Sequence, residues 1–354
     1  MFIRSIENLP WRSVAAGIVI ATTAVLTPIA SVDAQQTVVF AGWGGSIQQA
    51  QRDVYFNSFE KATGIKVVDI SGVSLAKIKA MVEARNVEWD VVQSIGMWIK
   101  PGAASGYWEE LDYSVIDKSG VPDFLAQRHA LGNTMYGMIL AYNTKAFPAG
   151  KEPKSWNDYW NVKEYPGRRG MLDAPRYTLD VAVIASGTPK DRIYPLDVEK
   201  GFAALDKIKG NVDVWWKQWP QAPQLLASQE IVMTLTSHTR IFDLQQNEKA
   251  PVAMQWQDSL LTVDNLSVIK GTKNKDAAMK LVNWMNKPEL QAEFARKTAI
   301  GPANEKAMAM LDDDVKKRLP TYYYAQGKMV AVDSDWWADN LQKLEERWNA
   351  WKLK

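Results

Sequence analysis

The chain has 354 residues, 23% of them charged, with a formal net charge of +2, no cysteine and two histidines, His129 and His238. That balance gives no basic stripe for a polyanion and so excludes nucleic acid as a partner. The missing thiols exclude disulfides and cysteine-ligated metals, two histidines make a histidine-rich zinc site unexpected, and no metal or organic cofactor is implied.

Arg4 and Arg12 precede an apolar run over 14–30, which ends at Val32-Asp33-Ala34. This is the order of charged, apolar and small-residue regions in a secretory signal peptide, with cleavage expected after Ala34. Thr22, Thr23, Thr27 and Pro28 interrupt the run, which argues against a permanent membrane anchor, and no cysteine follows it to carry a lipid. A periplasmic protein is therefore expected, and the remaining about 320 residues suit two domains.

From Gln35 the pattern alternates strand and helix. Val38-Val39-Phe40 reads as a strand that turns sharply at Gly42-Trp43-Gly44-Gly45 into a helix opened by Ser46. Such a turn presents backbone N–H groups at a helix start, and Trp43 adds an apolar plate; a plain core cap and tight turn is the alternative. Residues 48–63 read as a helix ended by Gly64, 65–70 as a strand and 74–85 as an amphipathic helix. Residues 89–92 form a further strand, ending at Gln93-Ser94-Ile95-Gly96. This βαβα order predicts a mainly parallel sheet, with ligand bound beyond the carboxyl ends of its strands.

A loop-rich stretch from Leu111 leads to 136–143, an extended apolar run read as a strand crossing between lobes. The second lobe repeats the logic: a helix capped by Ser155, a strand over 170–173, helices over 177–186 and 195–210, a strand over 212–216, a short helix over 223–229 and a strand over 231–236. Residues 263–269 read as a second crossing strand, followed by helices over 276–286 and from Pro288. The tail places Trp337, Leu341, Leu344, Trp348 and Trp351 at helical spacing, a stripe that packs against a lobe. The sixteen tryptophans are enough to fill cores and still furnish a binding cleft.

The chain carries no Gly-x-Ser-x-Gly, Walker or His-Glu-x-x-His motif, and no base–nucleophile pair can be placed, so it is not expected to be an enzyme. Its stretches TVVFAGWGGSI, FEKATGIKV, WDVV, YGMILAYNTKAF, SWNDYW, YPGRRG, VDNLSVIKGTKNKDAAMKLVNWMNKPELQAEFA, IGPANEKAM and DSDWWADN span the mature chain in order. In them it resembles the periplasmic substrate-binding proteins of ABC importers, in the spermidine/putrescine-binding branch. The resemblance implies an α/β, bilobal periplasmic-binding-protein fold of type II. Lobe 1 would hold 35–141 and 263–304, lobe 2 would hold 142–262 and 305–354, and two crossing strands would join them. It further implies a monomer that closes on its ligand by hinge motion and delivers it to the membrane permease subunits.

In polyamine binders of this family aromatic plates sandwich the methylene chain and carboxylates pair with the ammonium groups. By resemblance Trp43 is the aromatic after the first strand, and Asp264 the acid on the second crossing strand. Elsewhere the pattern departs: Gly45 and Ser46 stand where the family often has an acid and a tyrosine, Tyr177 where a glutamate follows the arginine, and Ser237 where an aromatic is expected. A diamine held by one carboxylate would leave an ammonium unpaired, at a cost on the order of several kcal/mol.

The expected ligand therefore has one cationic end and a carboxylate or polar group at the other, a small organic cation or zwitterion such as an amino acid. The anionic end would meet the N–H groups of Gly44, Gly45 and Ser46, or Arg176 or Arg240, although both arginines also suit structural salt bridges and Asp264 a structural cap. Ser94, Tyr136, Trp216 and Gln218 complete the candidate cleft. Two other readings remain: a true putrescine/spermidine receptor with carboxylates from other positions, and a secreted enzyme on the two-lobe scaffold.

Overall fold

The computed structural model describes residues 35–354, so the expected signal segment lies outside the described residues. The strands are β1 (Thr37–Gly42), β2 (Lys66–Ser71), β3 (Val91–Ile95), β4 (Leu131–Asn143), β5 (Arg169–Leu172), β6 (Val214–Trp216), β7 (Met233–Ser237), β8 (Val252–Val268), β9 (Gly301–Pro302) and β10 (Met329–Ala331). They join one sheet in the order β2-β1-β3-β8-β4-β7-β5-β6, with β10 on β8 and β9 on β4.

Strand direction places the site. β1 runs parallel to β2 and β3, and β5 runs parallel to β6 and β7, while the β3–β8, β8–β4 and β4–β7 pairs are antiparallel. β1 and β3 consequently run with β4, and β5 to β7 run against it. β3 ends where Ile95 faces Asp264, itself paired with Thr134, and β7 ends where Ser237 faces Met138. Both halves thus aim the carboxyl ends of their strands at one another across the row where Tyr136 pairs with Thr262. The fold is bilobal α/β, as the sequence suggests.

Local chemistry explains most element boundaries. The first helical stretch runs over 45–63 with a π turn at Arg52–Phe56, buries Val54, Phe56 and Phe59, and stops where Gly64 is left-handed (φ 73°). Ser74 Oγ accepts from Lys77 N at 3.2 Å, and Ser155 forms a capping box with Asp158.

β8 is longer than the expected 263–269, starting at Val252. Its early part was missed because Trp256-Gln257-Asp258-Ser259 bulges out: the register with β4 jumps from Met138↔Leu260 to Leu140↔Gln255, and Asp258 is left-handed (φ 60°). Helices Ile99–Ala104 and His238–Asp243, and three short ones within 305–325, were also not anticipated.

The tail helix Ser334–Lys352 packs as its tryptophan stripe predicts. Trp337, Trp348 and Trp351 are buried with Leu179, Phe202 and Leu205, and each indole N–H has a carboxylate partner: Asp180 at 3.1 Å, Asp173 at 2.9 Å and Asp206 at 2.7 Å. Ala307, Leu311 and Leu319 pack instead with Ala292, Ala295 and Ala299 beside the helix Pro288–Thr298.

The start of the tail helix also lies against the end of β3, where a Cβ on Gly96 would stand 2.8 Å from Ser334 Cβ. Gly96→Ala is expected to destabilise the protein by about 1–3 kcal/mol through overpacking, read as a lower urea midpoint at unchanged slope. An unchanged midpoint would mean that the helix start yields freely.

Candidate functional site

A cavity of about 650 Å³ opens where the two sets of strands meet. Of the sequence candidates, Trp43, Gly44, Gly45, Ser46, Tyr136, Arg176, Tyr177, Arg240 and Asp264 line it. Ser237 joins them, and so do residues not singled out beforehand, chiefly Trp98, Trp219, Thr239, Asp243 and Thr262.

Asp264 sits on the floor, 8% exposed. Its Oδ2 accepts from Trp43 Nε1 at 2.9 Å and from Gln93 Nε2 at 3.2 Å, and among the described residues nothing donates to Oδ1. Burial pushes the carboxyl up to about 7, against the opposing pull of the Trp43 bond, the Arg176 charge and the Gln93 bond. Trp43 is 40% exposed and tilts against Trp98 at 5.7 Å, so the indole that orients the carboxylate also forms one wall. Tyr136 shares the floor, its hydroxyl 3.5 Å from Gln93 Nε2, and burial pushes its phenol well up.

Facing this acid is Arg176, at a break in the helix Pro175–Ala185. Arg176 is extended (ψ 138°), Tyr177 is left-handed (φ 69°), and the expected helix over 177–186 becomes regular only after that corner. Such a conformation at a non-glycine costs on the order of 1–3 kcal/mol and persists only where the surroundings hold it. Asp180 does so: fully buried, it accepts from Tyr177 N at 2.8 Å, Trp337 Nε1 at 3.1 Å and the Tyr194 hydroxyl. The Arg176 guanidinium lies over the Tyr177 ring at 4.5 Å, and its Nε and Nη2 are buried with no partner among the described residues. Neither arginine forms a salt bridge among the described residues. Arg240 is partly buried, and loss of water lowers its pKa against the pull of Asp243. Partial loss of water at its carboxyl likewise raises Asp243, exposed as the residue is, with Arg240 opposing.

The structure brings four expectations to a different outcome. Ser94 faces away from the cavity, its hydroxyl 3.1 Å from Ser267 Oγ, because side chains alternate along β3 and Gln93 and Ile95 take the cavity side. Trp216 is buried, with Nε1 donating to Thr234 Oγ1 at 3.0 Å; Trp219, tilted against it at 5.3 Å, reaches the cavity instead. Gln218 is exposed and lies in the turn whose N–H is capped by Gln221 Oε1 at 2.8 Å. Gly44 (φ 82°) turns its N–H onto Gln48 Oε1 at 2.7 Å, so that donor is already engaged.

His238 has a structural role. It is fully buried, Nδ1 accepts from Gly137 N at 3.0 Å, Nε2 donates to Ala299 O at 2.9 Å, and burial lowers its pKa to about 4.

A cleft floored by two shared strands and walled by loops from two facing α/β halves is that of a bilobal solute-binding receptor. The chain belongs to the bacterial extracellular solute-binding proteins, whose family pattern matches residues 55–321. It is 34% identical over 328 residues to the gamma-aminobutyric acid-binding protein of Pseudomonas aeruginosa, covering 90% of this chain and 92% of that one. It is 26% identical over 274 residues to spermidine/putrescine-binding periplasmic protein 1 of Haemophilus influenzae, covering 73% of each. Among solved structures it superposes on an ABC transporter substrate-binding protein from Bradyrhizobium japonicum with a TM-score of 0.85 at 30% identity, covering 89% of this chain and 99% of that one.

Proposed function

We propose that this protein is the periplasmic receptor of an ABC importer and captures a small amino acid whose ammonium and carboxylate lie apart, with 4-aminobutanoate as the reference ligand. One observation carries the reading: a guanidinium with two buried, unpartnered nitrogens faces the same cavity as a buried carboxylate with one oxygen unpaired. Each needs an opposite charge, and a zwitterion supplies both. Aromatic walls at Trp43, Trp98 and Tyr177 suit the methylenes between. The similarity to a gamma-aminobutyric acid-binding protein supports the same class. A polyamine fits less well, because Arg176 and Arg240 would face its second ammonium.

Capture works by closure about β4 and β8. The moving bodies are 35–141 with 263–304, and 142–262 with the tail helix; the packing of Ala307, Leu311 and Leu319 favours carrying 305–319 with the first body. Ligand contacts from both bodies stabilise the closed form, and the monomer then hands its cargo to the membrane permease.

Thermal unfolding tests this directly. A ligand at 100 times its dissociation constant adds about 2.7 kcal/mol, so 4-aminobutanoate is expected to raise Tm clearly while putrescine and spermidine leave it unmoved. A strong rise with the polyamines alone would replace this reading by that of a polyamine receptor.

A further inference from the structure

Asp264 and Arg176 use only part of the cavity. Along β4, Asp264 is on the row of Thr134; Thr262, which lines the cavity with Tyr177, is on the row of Tyr136; and Ser237 is on the row of Met138. Successive rows of this kind are about 6.6 Å apart, two residues of extended strand. An ammonium at Asp264 and a carboxylate at Arg176 match the first interval, and a four-carbon amino acid fills it. The second interval leads to the segment after β7, where the hydroxyls of Ser237 and Thr239 lie 2.9 Å from each other and Arg240 lines the cavity.

The Arg240 side chain has no salt bridge or hydrogen bond among the described residues. Asp243, one turn on and exposed, opposes its desolvation from beyond ion-pair distance. A guanidinium partly removed from water calls for an anion, and its planar fork suits a carboxylate.

We propose that Arg240 is a specificity-determining residue: with the Ser237 and Thr239 hydroxyls it forms a second anion subsite, so the preferred ligand is an ω-amino acid extended past its first carboxyl group to a second acidic group. This rests on the amine–acid reading of the cleft and adds an outer group to it. In such a ligand the inner carbonyl oxygen accepts from Arg176 and the outer carboxylate from Arg240.

Calorimetric titration with 4-aminobutanoate and with 4-aminobutanoyl-β-alanine tests it, the second probe carrying its carboxylate about 5 Å farther from the ammonium. The native protein should bind the longer probe more tightly by about tenfold or more, the worth of one charge-assisted contact. Arg240→Met should bring the ratio of the two affinities close to one, and Arg240→Lys should restore part of it, with urea midpoints checking that both variants fold. Equal affinities in the native protein, weaker binding of the longer probe, or an unchanged ratio in Arg240→Met would each overturn the subsite while the primary reading stands. If neither probe binds the native protein, the amine–acid reading fails and this inference with it.

Discussion

Asp264→Asn is expected to weaken binding of 4-aminobutanoate by about 30-fold to 5,000-fold, because removing one partner of a buried charge pair costs about 2–5 kcal/mol. The substitution is close to isosteric. The amide oxygen can keep the bonds that Trp43 and Gln93 now make to Oδ2, so the amide nitrogen takes the place of Oδ1 on the cavity side. A donor then meets the ligand's ammonium where an anion stood. The empty variant should fold as well as the native protein, since a neutral amide avoids the desolvation that raises the Asp264 pKa. Titration calorimetry reads the affinity, and urea unfolding of the empty variant reads the control. An affinity within threefold of native would remove Asp264 from the site.

Ligand capture should also expel a proton. With its carboxyl pushed up to about 7, empty Asp264 is mostly protonated at pH 6, whereas an ammonium against Oδ1 favours the ionised form. Affinity should therefore be flat above about pH 7 and fall by about tenfold per pH unit below it. Calorimetry at pH 6 in buffers of different ionisation enthalpy should return close to one proton released per ligand.

The groups facing Asp264 do not replace it as the source. Tyr136 and Tyr177 are both pushed upward by burial, and buried His238 titrates only near 4. The empty protein carries the matching signature. An acid whose folded pKa is raised gives stability that is fully present below its unfolded pKa and lost as pH rises through the folded one, here from about 4 to about 7. Affinity that stays constant from pH 5.5 to 8.5 would show that Asp264 is already ionised in the empty cleft.

The strand–helix alternation and the two crossing strands were legible because burial leaves long apolar runs in β1, β3, β4 and late β8, and glycine or a cap marks many ends. Trp43 and Asp264 were legible through a resemblance extending over nearly all of residues 35–354. Their mutual hydrogen bond was not, since it joins residues 221 positions apart. The misplaced candidates share a cause: both faces of β3 are buried, so Val91-Val92-Gln93-Ser94-Ile95 shows no alternation from which to choose Gln93 over Ser94. Likewise Trp216 and Trp219 differ in position only through the turn between them. Asp243 was missed with its helix, six residues long and too short for a period to show.

The central position of β8 also bears on how the chain is made. β3 has β8 as its partner on one side, and β4 pairs with it from Leu131 to Asn143, so the two halves of the sheet cannot join before β8 exists. On a ribosome that moment comes only after residue 268 of 354 has emerged. Until then β3 and β4 lack their shared neighbour, and contacts this remote in sequence form slowly. The arrangement that centres the cleft between two halves also makes the joining of those halves a late event in synthesis.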